Sequence, residues 1–191
     1  MAVLPIKNNF VATSFQGYGF SEFKESKVGF AYAKNFGPRL TLGLKTTYHQ
    51  LKIAGYGVTT GFSLDAGAYY QLTKELAFGA FAANVSKQNY TNKETSVYIP
   101  VSYNIGLSYS PNDKVLVAAT INKVLKERVD VGIGIDYQII PFFGLRGGLT
   151  VNPFKQYCGF GLKYKHFTLD MASVFDANLG YSPQMAISYA F

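Results

Sequence analysis

Eight charged residues set among apolar ones are the groups in this sequence best placed to do chemistry: Lys45, Arg146, Lys163 and Lys165 against Asp65, Asp130, Asp136 and Asp170. Around each, apolar residues recur at every second position, which puts the charge on the opposite face of a strand from the apolar set. Two chemistries suit such a face. One is a charged constriction that selects ions or polar solutes; the other is an internal ion-paired network that fills a narrow interior and cancels itself. No single sign dominates a strand, which favours the network.

Catalysis finds little support. His49 and His166 lie 117 residues apart and at opposite strand ends, so they cannot share a metal or a site. A nucleophile needs a base within hydrogen-bond reach, and His49 reads as an inward, hydrogen-bonded structural residue. Cys158 is the single cysteine, with no CxxC or Cys/His metal spacing around it. The GIG and GFG glycines sit inside strands and open no helix, so they form no phosphate loop; they relieve crowding in a curved wall. The expectation is no catalytic residue, no cofactor, no metal and no enzymatic activity.

The elements that carry these residues are strands from end to end. Period-two alternation marks runs at 10–20, 27–35, 39–53, 58–71, 76–86, 97–110, 114–124, 128–140, 142–151, 156–166, 167–175 and 183–191. No apolar run is long enough for a transmembrane helix. Charged residues make up only 15 % of the chain, against about 25 % in soluble domains, a deficit that points away from a fully hydrated surface. The basic residues behind the net charge of +7 are scattered singly, which excludes nucleic acid as a partner and suits anionic lipid headgroups. The start, MAVLPIKNNF, lacks the pattern of a signal peptide, so an exported chain is expected to be a mature or trimmed form.

The two faces of these runs differ in a way that selects the architecture. One is bulky and apolar, as in Leu40, Leu42, Leu44 or Val129, Val131, Ile133, Ile135; the other is small and polar. A soluble lipocalin-like barrel would place charges outside and apolar residues inside. About 10 residues per strand, tilted about 45°, cover the apolar band of an outer membrane of about 25 Å, and in lipid the sheet must close. The expected fold is therefore a closed antiparallel up-and-down transmembrane β-barrel of about 12 strands (range 10 to 14) in a single domain, with residues 1–9 as an N-terminal extension or partial strand. Tight turns are expected on one rim and longer loops at 21–26, 54–57, 87–96, 125–127, 152–155 and 176–182 on the other.

Aromatic residues gather at the run ends. Phe36, Tyr70, Tyr109, Phe142, Phe143, Phe167 and Phe191 fall toward the tight-turn rim, and Tyr48, Tyr56, Tyr98, Phe154 and Phe175 toward the other. Two belts of this kind are expected at the headgroup levels of a bilayer. At the terminus, MAISYAF alternates Met185, Ile187, Tyr189 and Phe191 with Ala186, Ser188 and Ala190. The large set is expected to face lipid, and the strand resembles the terminal aromatic signal read by the outer-membrane insertion machinery.

The stretches IPVSYNIGLSYSPNDKVLVAATINK and VGIGIDYQIIPFFGLRGGLTVNPFKQYCGFGLKYKHFTLDMASVFDANLGYSPQMAISYAF resemble the C-terminal half of PorV/PorQ-type outer-membrane barrels, in the superfamily of the fatty-acid transporter FadL. FSEFKESKVGFAYAKNFGPRLTLGLKTTYHQLKIAGYG resembles shorter members that lack the usual N-terminal segment. The resemblance implies an integral outer-membrane protein of a Gram-negative bacterium, surrounded by outer-membrane lipid. It implies a non-enzymatic scaffold or accessory of protein secretion, of type IX for characterised relatives, meeting secretion-machinery or surface proteins through 87–96 and 176–182. The alternative is a pore or lateral channel for small or hydrophobic molecules, natural or trimmed from a larger barrel.

Overall fold

The computed structural model describes residues 1–91 and 96–190, and these are all-β apart from turns. The strands are β1 (Ala2–Ile6), β2 (Asn9–Phe20), β3 (Phe23–Phe36), β4 (Leu40–Ile53), β5 (Gly57–Gln71), β6 (Leu76–Ala83), β7 (Asn89–Thr91), β8 (Ser96–Tyr98), β9 (Ser102–Asn112), β10 (Val115–Val124), β11 (Val129–Ile140), β12 (Phe143–Val151), β13 (Phe154–Tyr164), β14 (Phe167–Asp176) and β15 (Gly180–Tyr189). Thirteen of them follow one another up and down in chain order in an antiparallel sheet, with β7 and β8 off that path. The extra strand beyond twelve is β1, residues 2–6, which pairs with β2 from Ala2↔Thr13 to Ile6↔Asn9.

The chain forms two compact units. The first comprises Met1–Gln71 and Gly79–Asn104; the second comprises Leu72–Phe78 and Ile105–Phe191. In the first, β3, β4 and β5 are 14, 14 and 15 residues long and pair along their whole length. In the second, β10 to β15 are 9 to 12 residues long and pair in sequence.

Apolar side chains point to one face of these ladders. Leu44, Phe62, Ile105, Ile133, Leu145 and Met171 are all 41 % or more exposed, whereas the buried apolar residues among those described are only Leu51, Ala77, Tyr90, Ile99 and Val101. A water-soluble chain of this length would bury most of its large apolar residues. No described helix is long and apolar enough to cross a membrane, a statement that does not touch strands.

Three expectations are corrected. The connection expected over 21–26 is a two-residue turn between Phe20 and Phe23, 54–57 is closed by the pair Ile53↔Gly57, and 152–155 by Val151↔Phe154. Loop length therefore does not separate two rims. Polar residues such as Lys24, Glu25 and Lys52 mark the end of the apolar band, but the ladder runs on through them. The run expected at 97–110 is broken: β8 ends at Tyr98 and β9 begins at Ser102. Val101, placed by alternation on the apolar outer face, is instead 1 % exposed, because it lies in the break between β8 and β9 and not on a strand.

Candidate functional site

On the polar face of the first unit, strand register assembles four rows across β3, β4 and β5: Glu25, Leu51, Thr59; Lys27, His49, Gly61; Gly29, Thr47, Ser63; and Ala31, Lys45, Asp65. Residues 84–91 and 96–101, the described parts of the stretch between β6 and β9, form an arm against them. It begins where β6 ends and Asn84 adopts φ 49°, a left-handed conformation that asparagine tolerates. The Asn84 N–H donates to Asp65 Oδ1 at 2.8 Å, and its side-chain amide donates to the carbonyls of Gln88 and Ile99, both at 2.9 Å. Asn84 is 1 % exposed. Further along the arm, β7 meets the edge of β5 at Thr60↔Thr91.

Tyr90 anchors the arm. Its phenol donates to Glu25 Oε1 at 2.5 Å and lies 3.3 Å from His49 Nδ1, while His49 Nε2 lies 2.7 Å from Ser63 Oγ. A phenol has one proton, and here it goes to Glu25. The His49 Nδ1–H must then donate to the phenol oxygen, leaving Nε2 to accept from Ser63. The donors run Ser63 to His49 to Tyr90 to Glu25, and Lys27 closes the chain on Glu25 at 3.0 Å. Burial pushes the Tyr90 phenol above its ordinary value of 10, and the hydrogen bond to Glu25 adds to the shift. The His49 and Tyr90 rings meet edge-on with centroids 5.7 Å apart. Leu51, Tyr90 and Ile99 form an apolar cluster, flanked by Phe23 and Ile53.

Ser63 and His49 thus have the pairing of a nucleophile and its base. They are 5 % and 6 % exposed beneath the arm, so no substrate carbonyl reaches Ser63 in this arrangement, and the chain of donors serves to hold the arm. Among the described residues, Thr59 Oγ1 and Asn89 Oδ1 are buried with no hydrogen-bond partner, and a buried polar atom left so costs about 1–3 kcal/mol. Gly61 makes the fit tolerable. A Cβ there would stand 3.0 Å from the Asn89 carbonyl oxygen and 3.3 Å from Ile99 Cδ1.

The polar face of the second unit is built differently. Arg146 on β12 bonds Asp136 on β11 through Nε at 2.7 Å, and reaches across β13 to Asp170 on β14 through Nη1 at 2.5 Å. It can cross because β13 offers only glycines there: a Cβ on Gly161 would lie 2.8 Å from Asp170 Oδ1 and 3.3 Å from Arg146 Nη2. Both bonds are charge-assisted, and they tie the three groups together across four strands. Beside them is a cavity of about 500 Å³ whose lining includes Thr120, Gly132, Gly148, Gly159 and Tyr157.

The other charges expected on this face have separate duties. Asp130 accepts from the amides of Val151 and Asn152 at 3.1 and 2.8 Å, closing a turn. Asp65 receives Asn84 and stands across the register from Lys45. Lys163 stands opposite Thr168. Lys165 is corrected: it occupies a tight turn with φ 52°, its ammonium 5.5 Å from the Tyr164 ring centroid, and is not on a strand face. Among the described residues no group of His, Cys, Asp and Glu could hold a metal ion.

Phe36, Tyr70, Tyr109, Phe142 and Phe167 are exposed at one set of strand ends, with Phe143 half-buried against Phe160. Tyr56 and Phe154 are exposed at the other, where Tyr48 packs on Phe62 at 5.1 Å and Phe175 on Tyr181 at 4.9 Å. Tyr98 is a correction: it lies on β8 in the arm, its hydroxyl accepting from the Val101 N–H at 3.4 Å. Met185, Ile187 and Tyr189 are exposed on one face of β15, opposite Met171, Leu169 and Phe167 in register. Phe191 lies outside the described residues, as do residues 92–95 of the segment expected to meet partners.

No protein-family model matches the chain, and no curated protein sequence matches it. Solved structures do. The monoaromatic hydrocarbon channel CymD aligns with TM-score 0.68 at 12 % identity, covering 99 % of this chain and 81 % of that one. The Pseudomonas putida toluene transporter TodX aligns with TM-score 0.63 at 13 % identity over 97 % of this chain and 78 % of that one. The KdgM porin aligns with TM-score 0.55 at 11 % identity over 96 % and 98 %. The fold is that of outer-membrane β-barrel channels.

These neighbours agree with the expected outer-membrane β-barrel fold. They give no support to the narrower PorV/PorQ membership or to type IX secretion, since each is a channel, a transporter or a porin. Reasoning from alternation missed the arm and with it Tyr90, Asn84, Glu25 and Ser63. One signal was available: Pro100 interrupts the run at 97–110, and proline lacks the N–H that an interior strand position must donate.

Proposed function

We propose that this chain is an integral outer-membrane β-barrel channel for small molecules, with apolar and monoaromatic compounds as the solute class. One observation carries the reading: along strand after strand, large apolar side chains stand exposed on one face while glycine, serine, threonine and paired charges occupy the other. Lipid satisfies the first face, and a closed sheet turns the second toward a lumen. The solute class rests on the channels and transporters that share the fold.

The test is reconstitution of the purified chain into phosphatidylcholine vesicles, followed by uptake of radiolabelled toluene and of a charged aromatic of equal size. Toluene entry well above protein-free vesicles supports the proposal. Entry equal to protein-free vesicles, with the protein folded in the bilayer, removes it. Selective co-purification of secretion components from native membranes, with no uptake, would instead restore the secretion-accessory reading.

A further inference from the structure

We propose that the cavity on the polar face of β10 to β13 is a binding station for a hydroxylated monoaromatic ring, held flat on a floor of bare backbone with its hydroxyl at a polar margin. The inference rests on the channel reading above and names the solute that such a channel would hold longest. Strand register builds the floor. Ala118, Gly134 and Gly148 stand side by side on β10, β11 and β12, and their row ends at Tyr157 on β13. At about 4.8 Å between neighbouring strands, the three small residues span about 10 Å. Their peptide groups are engaged in the ladders, so the floor offers a flat contact and no hydrogen bond.

Polar groups stand at the margin. Two residues before Gly148, on the same strand face, is Arg146 with its bonds to Asp136 and Asp170; two residues after it is Thr150, in one row with Gly132 and Thr120. A Cβ at Gly132 would stand 2.9 Å from Thr120 Oγ1 and 3.2 Å from Thr150 Cγ2, so the threonines close over that glycine and leave Gly134 and Gly148 open. Arg146 and Thr150 are about 13 Å apart along the strand, and their side chains narrow the gap to a slot about one ring wide. All of these groups except Asp136 line the cavity of about 500 Å³.

The margin selects the solute. Among the described residues the Thr120 and Tyr157 hydroxyls have no protein partner, and each can both donate and accept. A ring with one hydroxyl pairs with that margin while its apolar body covers the floor. A sugar, polar around its whole edge, would set hydroxyls against backbone that cannot answer them. The Arg146 group holds two carboxylates to one guanidinium, which turns away a ring bearing a carboxylate.

Fluorine NMR of 4-fluorophenol with the full chain in phosphatidylcholine nanodiscs tests this. The probe line is expected to broaden saturably beyond its width in protein-free discs, and unlabelled p-cresol should reverse the broadening at about one-fifth the concentration that toluene requires, the difference made by one net hydrogen bond. Ala118→Phe fills the floor and should abolish the broadening. Thr120→Val with Tyr157→Phe keeps the shape and removes both free hydroxyls, so p-cresol should lose its advantage while toluene still competes. Equal broadening in the wild type and Ala118→Phe would overturn the station, as would equal competition by p-cresol and toluene in the wild type. Displacement by glucose or benzoate as effective as by p-cresol would overturn the solute class. Toluene uptake into vesicles alongside any of these failures leaves the channel standing, whereas specific broadening without uptake keeps the station and removes the channel. Where Ala118→Phe does not fold, the Thr120→Val and Tyr157→Phe pair decides.

Discussion

The two units solve the same problem, a polar sheet face that must not be left bare, by different means. The first has three strands, β3 to β5, of 14 to 15 residues and covers their polar face with a separate stretch of chain, creating a small apolar cluster and a buried chain of donors. The second has strands of 9 to 12 residues and covers nothing; it keeps its face small with glycine and ties its charges to one another across the strands. At about 3.3 Å per residue and a tilt of about 45°, 10 residues span about 23 Å and 14 span about 33 Å. The first unit therefore has a turn's worth of strand beyond the apolar band, and that surplus carries Glu25, Leu51 and Thr59, the residues the arm rests on. Covering a face buries its polar groups in a network; thinning it leaves them bridged in the open.

The largest test is common to both units and asks whether the outer face meets lipid. Ile133→Arg should destabilise by about 2–4 kcal/mol if Ile133 lies near the bilayer midplane, while Thr120→Arg on the opposite face should cost far less. Urea unfolding in vesicles, followed by heat-modifiable gel migration, measures both; equal costs would remove the assignment of faces.

The next effect separates the two floors. A Cβ on Gly159 would stand 2.7 Å from the Met171 carbonyl oxygen, a backbone atom that cannot swing aside, so Gly159→Val should cost about 1–3 kcal/mol through the wall of the second unit. Gly61→Val meets only the arm, at the Asn89 carbonyl and Ile99. It should unseat the arm and leave the unfolding midpoint of the wall nearly unchanged, which the same gel assay reads.

A smaller effect bears on the bridged face. Arg146→Ala leaves Asp136 and Asp170 without their common partner, yet the arginine side chain is 48 % exposed. Solvent screening holds the expected loss to about 1 kcal/mol, and Asp136→Asn with Asp170→Asn in the same chain should recover most of it. The smallest effect belongs to the arm. Because the folded-state value of Tyr90 is raised, its neutral phenol contributes stability in full below the unfolded value of about 10, and that contribution is lost as pH climbs through the higher folded value. Tyrosine absorbance at 295 nm should show one residue that resists ionisation above pH 10, and Tyr90→Phe should abolish that component; a titration identical in both proteins would mean the arm is not seated in solution.

Alternation along the chain was enough to read strands, faces and the lipid-directed set, because period two is a local property and each strand carries it independently. Leu40, Leu42 and Leu44, or Met185, Ile187 and Tyr189, announce their face without help from any neighbour. The charges on the polar face were legible as a set, but not their pairings. Arg146 joins Asp136 and Asp170 from positions 10 and 24 residues away, and only the register of four strands, with glycine at Gly159 and Gly161, brings them together. Asp130 and Lys165 looked like members of that set and turned out to serve turns.

The arm was illegible for the same reason in stronger form. Its anchor, Tyr90, bonds Glu25 from 65 residues away and His49 from 41, and residues around it have no period to betray them; Pro100 alone marked the break. Which residues could face lipid was decided by the sequence, since that depends on side-chain chemistry at alternate positions. Which polar residues are bare, bridged or covered was decided by the tertiary structure, since burial on that face depends on a segment that pairs with the sheet but does not continue it.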